Sequence, residues 1–204
     1  MARISGPKGM VMAFATLFLL IGCELDPNIK YYKEPKIENL TISHDLNAVT
    51  ANDEIYITAT ATSFFCRGFV GVRYWVCTND WGDTPPEMKF ENEVLYKWIE
   101  PQSEEEEGSW KKLASLSHTF TYTCPSCGHA TLTKPSSCTE CKFTESKDVK
   151  FIANNVVVEE NKPFAFEAVI PKQKAGKFVI FTLYCTSEYG IYTNTDYYSY
   201  TVQP

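Results

Sequence analysis

From residue 36 onward the chain alternates between apolar and polar positions. Between 55 and 62 it puts Ile55, Ile57, Ala59 and Ala61 on one parity and Tyr56, Thr58, Thr60 and Thr62 on the other. A period of two in β-branched and aromatic residues predicts a strand with one buried face. The same reading predicts strands at 36–43, with Leu40 and Ile42 on one parity, and at 70–78, where Trp75 and Cys77 share a parity. Segment 47–53, rich in Asn and Asp, makes the turn between the first two. Segment 79–86, with its Asn, Asp, Gly and paired prolines, is a loop.

Two more strands are predicted at 93–100 and 109–116, joined by a connection that carries Glu104, Glu105, Glu106 and Glu107. Four adjacent carboxylates without a glycine bend read as a solvated hairpin tip rather than a calcium loop. Segment 87–99 also admits a short helix, with Phe90, Val94 and Trp98 on one stripe; strand is preferred for its second half. After a cysteine-rich interruption, strands resume at 156–159, 163–170, 177–186 and 197–202. In these, Phe164, Phe166, Ala168 and Ile170 face inward, as do Val179, Phe181, Leu183 and Cys185. About seven short strands with regular turn signals and almost no helical period predict an all-β, antiparallel sandwich. The end of the chain, two apolar strands and a terminal Tyr-rich one, resembles the end of immunoglobulin-like domains. That resemblance implies an immunoglobulin-like sandwich over 36–204. The family's Cys-Trp-Cys landmark is matched only in part: Trp75 and Cys185 fit, but no cysteine lies squarely within the second strand, Cys66 being at its far end.

The hydrophobic pattern of the first residues is of another kind. Residues 1–10 carry Arg3 and Lys8 and no acid, and an apolar run follows over 11–21. A basic start, a short apolar run and a small-residue cleavage site make a secretory signal. The run is too short to span a membrane, which takes roughly 20 apolar residues. Its ending, Leu20-Ile21-Gly22-Cys23, resembles the lipobox of bacterial lipoproteins. The resemblance implies removal of 1–22 and lipid attached covalently to Cys23, which would anchor the protein to a membrane outside the cytoplasm, the outer membrane or cell surface being favoured. Two acyl chains suffice for stable anchoring. Segment 23–35, polar and interrupted by Pro27 and Pro35, then reads as a tether.

Composition narrows the partners. The net charge is −6, with 44% hydrophobic and 22% charged residues. That is a globular composition, too acidic to favour nucleic acid. The partners expected are the membrane, through the lipid, and an unidentified protein or glycan. Tyr189, Tyr192, Tyr197, Tyr198 and Tyr200 offer contact surface, although half of such a run is ordinarily core packing.

Candidate chemistry concentrates in the interruption. Cys124-Pro-Ser-Cys127-Gly128-His129 and Cys138-Thr-Glu-Cys141 repeat a Cys-x2-Cys spacing. Two residues between thiolates let one tight turn aim both sulfurs at a common point, and two such knuckles make a tetrahedral S4 site for zinc or iron. Gly128 permits the turn a positive φ. The stretch resembles zinc-ribbon and rubredoxin-like modules, with Tyr122 ahead of the first knuckle; Lys142 departs from the pattern where glycine is usual. The resemblance implies a structural zinc on Cys124, Cys127, Cys138 and Cys141 within an insertion over 119–148. Two disulfides among the same four residues are the competing reading, since export leads to an oxidising compartment. A redox-active Cys124–Cys127 pair is a third. Of the remaining thiols, Cys77 and Cys185 are the expected disulfide, Cys66 with Cys185 the runner-up, and three buried free thiols the alternative.

No catalytic motif accompanies these features. His44, His118 and His129 lie in dissimilar contexts, and nucleophile-elbow, metalloprotease and phosphate-loop patterns do not occur. The expectation is a non-enzymatic binding or structural module. A thiol or metal protein of the envelope, acting through Cys124 and Cys127, is the alternative.

Overall fold

The computed structural model describes residues 33–82, 84–103 and 106–204. The signal segment, Cys23, most of the tether, and Glu104 and Glu105 lie outside them. Residues Glu34–Pro204 form one compact unit. Among the described residues every regular element is a strand, and the chain is an antiparallel all-β sandwich.

The first sheet has the order β1 (Lys36–Ile42), β2 (Ile55–Thr62), β12 (Phe164–Ile170). The second is built on β3 (Gly68–Thr78) and β13 (Lys177–Ser187), paired antiparallel from Gly68↔Ser187 to Lys177↔Thr78. Strands one, two and twelve facing three and thirteen is the division of an immunoglobulin-like sandwich. The parity read from the sequence sets the core between the sheets. Ile55, Ile57, Ala59 and Ala61 of β2 meet Val70 and Val72 of β3 and Val179, Phe181, Leu183 and Cys185 of β13. Phe164 is the exception, 38% exposed at the mouth of its strand. Of the terminal tyrosines, Tyr200 is buried and Tyr198 stacks on Phe181 at 5.4 Å, whereas Tyr189, Tyr192 and Tyr197 face solvent.

The outer face of the second sheet is not left to water. A three-stranded sheet, β4 (Met88–Glu91), β5 (Val94–Ile99) and β6 (Ser109–Ser115), covers one end of it. Leu95, fully buried, and Ala114 pack there on Trp75, Cys77, Phe178 and Ile180. The helical alternative for 87–99 is thereby replaced by a hairpin. Its two-residue turn, Asn92-Glu93, has φ +48° and +66°. That geometry belongs to a type I′ turn, whose twist matches that of the strands. Tertiary bonds hold it, since the Glu93 carbonyl accepts from the Trp75 indole and from the Leu116 amide, both at 3.0 Å.

Both edges of the second sheet are interrupted strands. On the β13 side, β14 (Tyr192–Asn194) and β15 (Tyr198–Thr201) pair in succession with the same partner. On the β3 side, β7 (Ser117–His118) pairs with Tyr74 and Arg73, and β11 (Val156–Val158) with Val70 through Gly68. The Thr119 amide continues that ladder onto the Val72 carbonyl at 3.0 Å. Strands β7 and β11 are thus one edge strand, opened opposite Gly71. What leaves through the opening is 120–155. It contains β8 (Thr121–Thr123), β9 (Ala130–Thr131) and β10 (Ile152–Asn154), in the order β10-β8-β9. The insertion extends beyond the 119–148 read from the cysteines because β10 returns to pair with β8.

Candidate metal centre

The two Cys-x2-Cys segments fold alike. In the first knuckle the Cys124 amide donates to the His129 carbonyl at 2.8 Å and the Gly128 amide to the Cys124 carbonyl at 2.9 Å. In the second, Cys138 donates to Phe143 at 2.7 Å and Lys142 to Cys138 at 3.0 Å. Gly128 has φ +76° and Lys142 has φ +62°. Lys142 therefore occupies the left-handed position that glycine fills in the first knuckle, and its ammonium donates to the Thr139 carbonyl at 3.0 Å. The departure in sequence is not one in backbone.

These turns bring together all four expected ligands. The Sγ atoms of Cys124, Cys127, Cys138 and Cys141 lie within 4.8 Å of one another; Cys124 and Cys138 are buried residues, Cys127 and Cys141 exposed ones. Between knuckles, Cys124 and Cys141 are 3.6 Å apart and Cys127 and Cys138 3.6 Å apart. A tetrahedral ion with metal–sulfur bonds of about 2.3 Å spaces its sulfurs by about 3.8 Å. A disulfide requires about 2.05 Å, and all four residues are free thiols. The tetrad has the size of a four-thiolate metal shell.

Backbone amides complete the electrostatics. The Phe143 amide holds the Cys141 thiol down at about 7, and the amides of Cys141 and Glu140 lower Cys138. Cys127 receives the His129 amide, but its hydrogen bonds within the tetrad, first to Cys141, push it up to about 12. Four thiolates repel one another, and a divalent cation among them removes that conflict. Around the sulfurs, Phe151 is buried beside Cys124 and Cys138, with Tyr122 and Phe143 packed against them. So few apolar groups cannot hold 36 residues by burial alone, and small modules of this kind are usually stapled by metal or disulfides.

Other candidate residues are dispersed. The His129 ring pairs with the Thr139 hydroxyl at 3.3 Å and lies outside the thiol cluster. His44 contacts the Ser43 hydroxyl at 2.7 Å, while Asp45 instead caps its own turn through the Asn47 amide at 3.0 Å. His118 sits between Phe120 and Tyr184, and burial, then the Arg73 charge, lowers its pKa.

The expected Cys77–Cys185 disulfide is corrected by the ladder. Cys185 opposes Val70, and Cys77 opposes Phe178. They stand seven β3 positions apart, about 23 Å at 3.3 Å per residue, and an odd separation puts them on opposite faces. Cys185 belongs to the sandwich core and Cys77, with Trp75, to the outer cluster. Trp75 is accordingly not the core tryptophan of an immunoglobulin domain. Cys66 is also buried, and all three are free thiols, so the runner-up pair Cys66–Cys185 does not form.

No protein-family model and no curated protein matches the chain. Among solved structures, the sporulation control protein Spo0M from Bacillus subtilis aligns with 84% of this chain at 9% identity and TM-score 0.37. The chain spans half the length of that protein. Strand order and the thiol tetrad define the class: an all-β sandwich with a four-cysteine insertion able to hold a metal ion.

Proposed function

We propose that the chain is a bacterial lipoprotein, held outside the cytoplasm by lipid on Cys23, whose immunoglobulin-like sandwich is a non-enzymatic binding module. Zinc on Cys124, Cys127, Cys138 and Cys141 staples its insertion. The observation that carries the zinc assignment is the tetrad itself, four free thiols at tetrahedral spacing in two matched knuckles. Zinc favours a four-thiolate shell, and a shell closed by four protein ligands is structural rather than catalytic. The anchor rests on the lipobox of residues 20–23, and the acidic charge argues for protein or glycan partners rather than nucleic acid.

The test is metal and thiol counting on the full chain purified without added zinc. One zinc per chain, with the four insertion cysteines alkylated only after chelation, is the expected result. Metal-free protein with two disulfides among them would overturn it. Incorporation of an alkyne-labelled fatty acid, lost in Cys23→Ser, tests the anchor.

One observation favours a second reading. Cys127, of the Cys124–Cys127 pair, is exposed, and access is one requirement of a reactive thiol. If the tetrad is metal-free and cycles readily with glutathione, the protein acts in envelope redox or metal handling instead.

A further inference from the structure

The strands of the sandwich begin and end at two poles, and the chain enters the fold at one of them. Lys36 opens β1 opposite Thr62, the last residue of β2. Phe164, which opens β12, sits opposite Ala61. In the second sheet Val158 of β11 and Ser187 of β13 both oppose Gly68, the first residue of β3. Segments 63–67, 159–163 and 188–191 therefore lie together around the entry point. They are tied to one another, since the Asn161 amide donates to the Ser63 carbonyl at 2.8 Å and the Glu188 amide to the Arg67 carbonyl at 2.9 Å.

Exposed apolar surface gathers at this pole. Of the ten large hydrophobic side chains that are exposed among the described residues, five are here, which is concentration rather than the single scatter of an ordinary surface. Tyr192 is 62% exposed, Val157 43% and Phe164 38%, with Phe65 and Tyr189 beside them. Val157, Pro163 and Phe164 line one shallow cleft together with Glu159 and Lys162. The cations of the pole are matched by carboxylates: Lys36 by Glu38 at 2.6 Å, Arg67 by Glu188 at 3.7 Å and Lys162 by Glu159 at 2.5 Å. Its partner is therefore met by rings rather than by net charge.

The length of chain ahead of the fold selects that partner. Segment 23–35 has 13 residues. A coil of that length spans about 20 Å, whereas β3 runs about 33 Å from this pole to the other. A lipid on Cys23 thus keeps this pole, and not the opposite one, at the bilayer surface, and such tethering makes even a weak contact persistent. Tyrosine, with an apolar body and a polar tip, sits at headgroup depth. Lysine stems cover apolar surface while their ammonium groups stay in water.

We infer that this pole docks on the membrane that holds the anchor, with Phe164 and Tyr192 entering the lipid interface. The inference deepens the lipoprotein reading and rests on it.

The test uses the lipidated full chain in phosphatidylcholine vesicles whose acyl chains are brominated near the headgroup, with fatty acid on Cys23 confirmed by mass. Phe164→Trp and Tyr192→Trp place a reporter at the pole, and Tyr56→Trp places one at the opposite pole, each read as the difference from the wild-type emission. The added emission at 164 and at 192 is expected to be about halved by the brominated lipid, because interfacial rings lie within its reach, and that at 56 to be unchanged. The quenching should persist in about 0.5 M NaCl, where the Debye length is about 4 Å. Lipidated protein quenched no more at 164 and 192 than at 56 would overturn the docking and leave the anchor standing. Quenching that salt abolishes would overturn the contact through rings. A full chain without fatty acid on Cys23 would overturn the anchor, and the docking with it.

Discussion

Lys142 carries its knuckle in a conformation that costs an L-residue about 1–2 kcal/mol. Lys142→Gly is therefore expected to raise the melting temperature of the metal-loaded protein and to slow metal loss to a competing chelator. Gly128→Val should do the reverse by about 1–2 kcal/mol, through strain alone, because no atom lies within 4 Å of an added Cβ there. The buried thiols make a second prediction. Burial pushes Cys77 and Cys185 up from 9.0 to about 11. Both stay protonated in the folded chain at a pH where the unfolded chain ionises them. The stability they supply is thus complete below about pH 9 and lost as pH rises to about 11, and denaturant melts across that window check it. At pH 8 the thiols of Cys66, Cys77 and Cys185 should resist alkylation until the chain unfolds.

The β4–β5 hairpin shows how an element can be fixed from outside itself. Asn92-Glu93 lacks the glycine that usually follows Asn in a type I′ turn, so the sequence reads ambiguously and a helical stripe competes. Strand pairing wins because Leu95 is completely buried on the outer face of the second sheet and the Trp75 indole bonds the turn. Glu93→Gly should stabilise the protein by about 1 kcal/mol by relieving the left-handed residue, measurable as a higher denaturant midpoint with unchanged m-value. Leu95→Ala should destabilise by about 2–5 kcal/mol. Its effect is expected to appear first as faster amide exchange in β4, β5 and β6.

For the molecule as a whole, the sandwich and the insertion draw on different sources of stability. The sandwich has a large apolar core; the insertion's cluster has three buried residues, Phe151 and two cysteines of the tetrad itself. Chelation is therefore expected to raise amide exchange across 120–155 while β2, β3, β12 and β13 keep their protection. A loss of protection in all four core strands would show that the two fold as one cooperative unit.

The alternation of 55–62 and 177–186, the two Cys-x2-Cys knuckles and the all-β class were legible because each is a local regularity, set by a period of two or by a turn of fixed length. The knuckle at Lys142 was harder to read, since its positive φ is imposed by hydrogen bonds rather than by residue type. Parity shows that two residues of one strand share a face, but not which face meets the core. That is why Trp75 and Cys77 read as neighbours of Cys185. Their actual place depends on the register of β3 against β13, a pairing between residues about 100 positions apart. The same long-range register joined β7 to β11 across the insertion and brought Lys172, His118 and Tyr122 around one cavity. Short-range patterns settled which strands and turns form; pairing between distant segments, driven by burial on both faces of one sheet, settled which side chains meet.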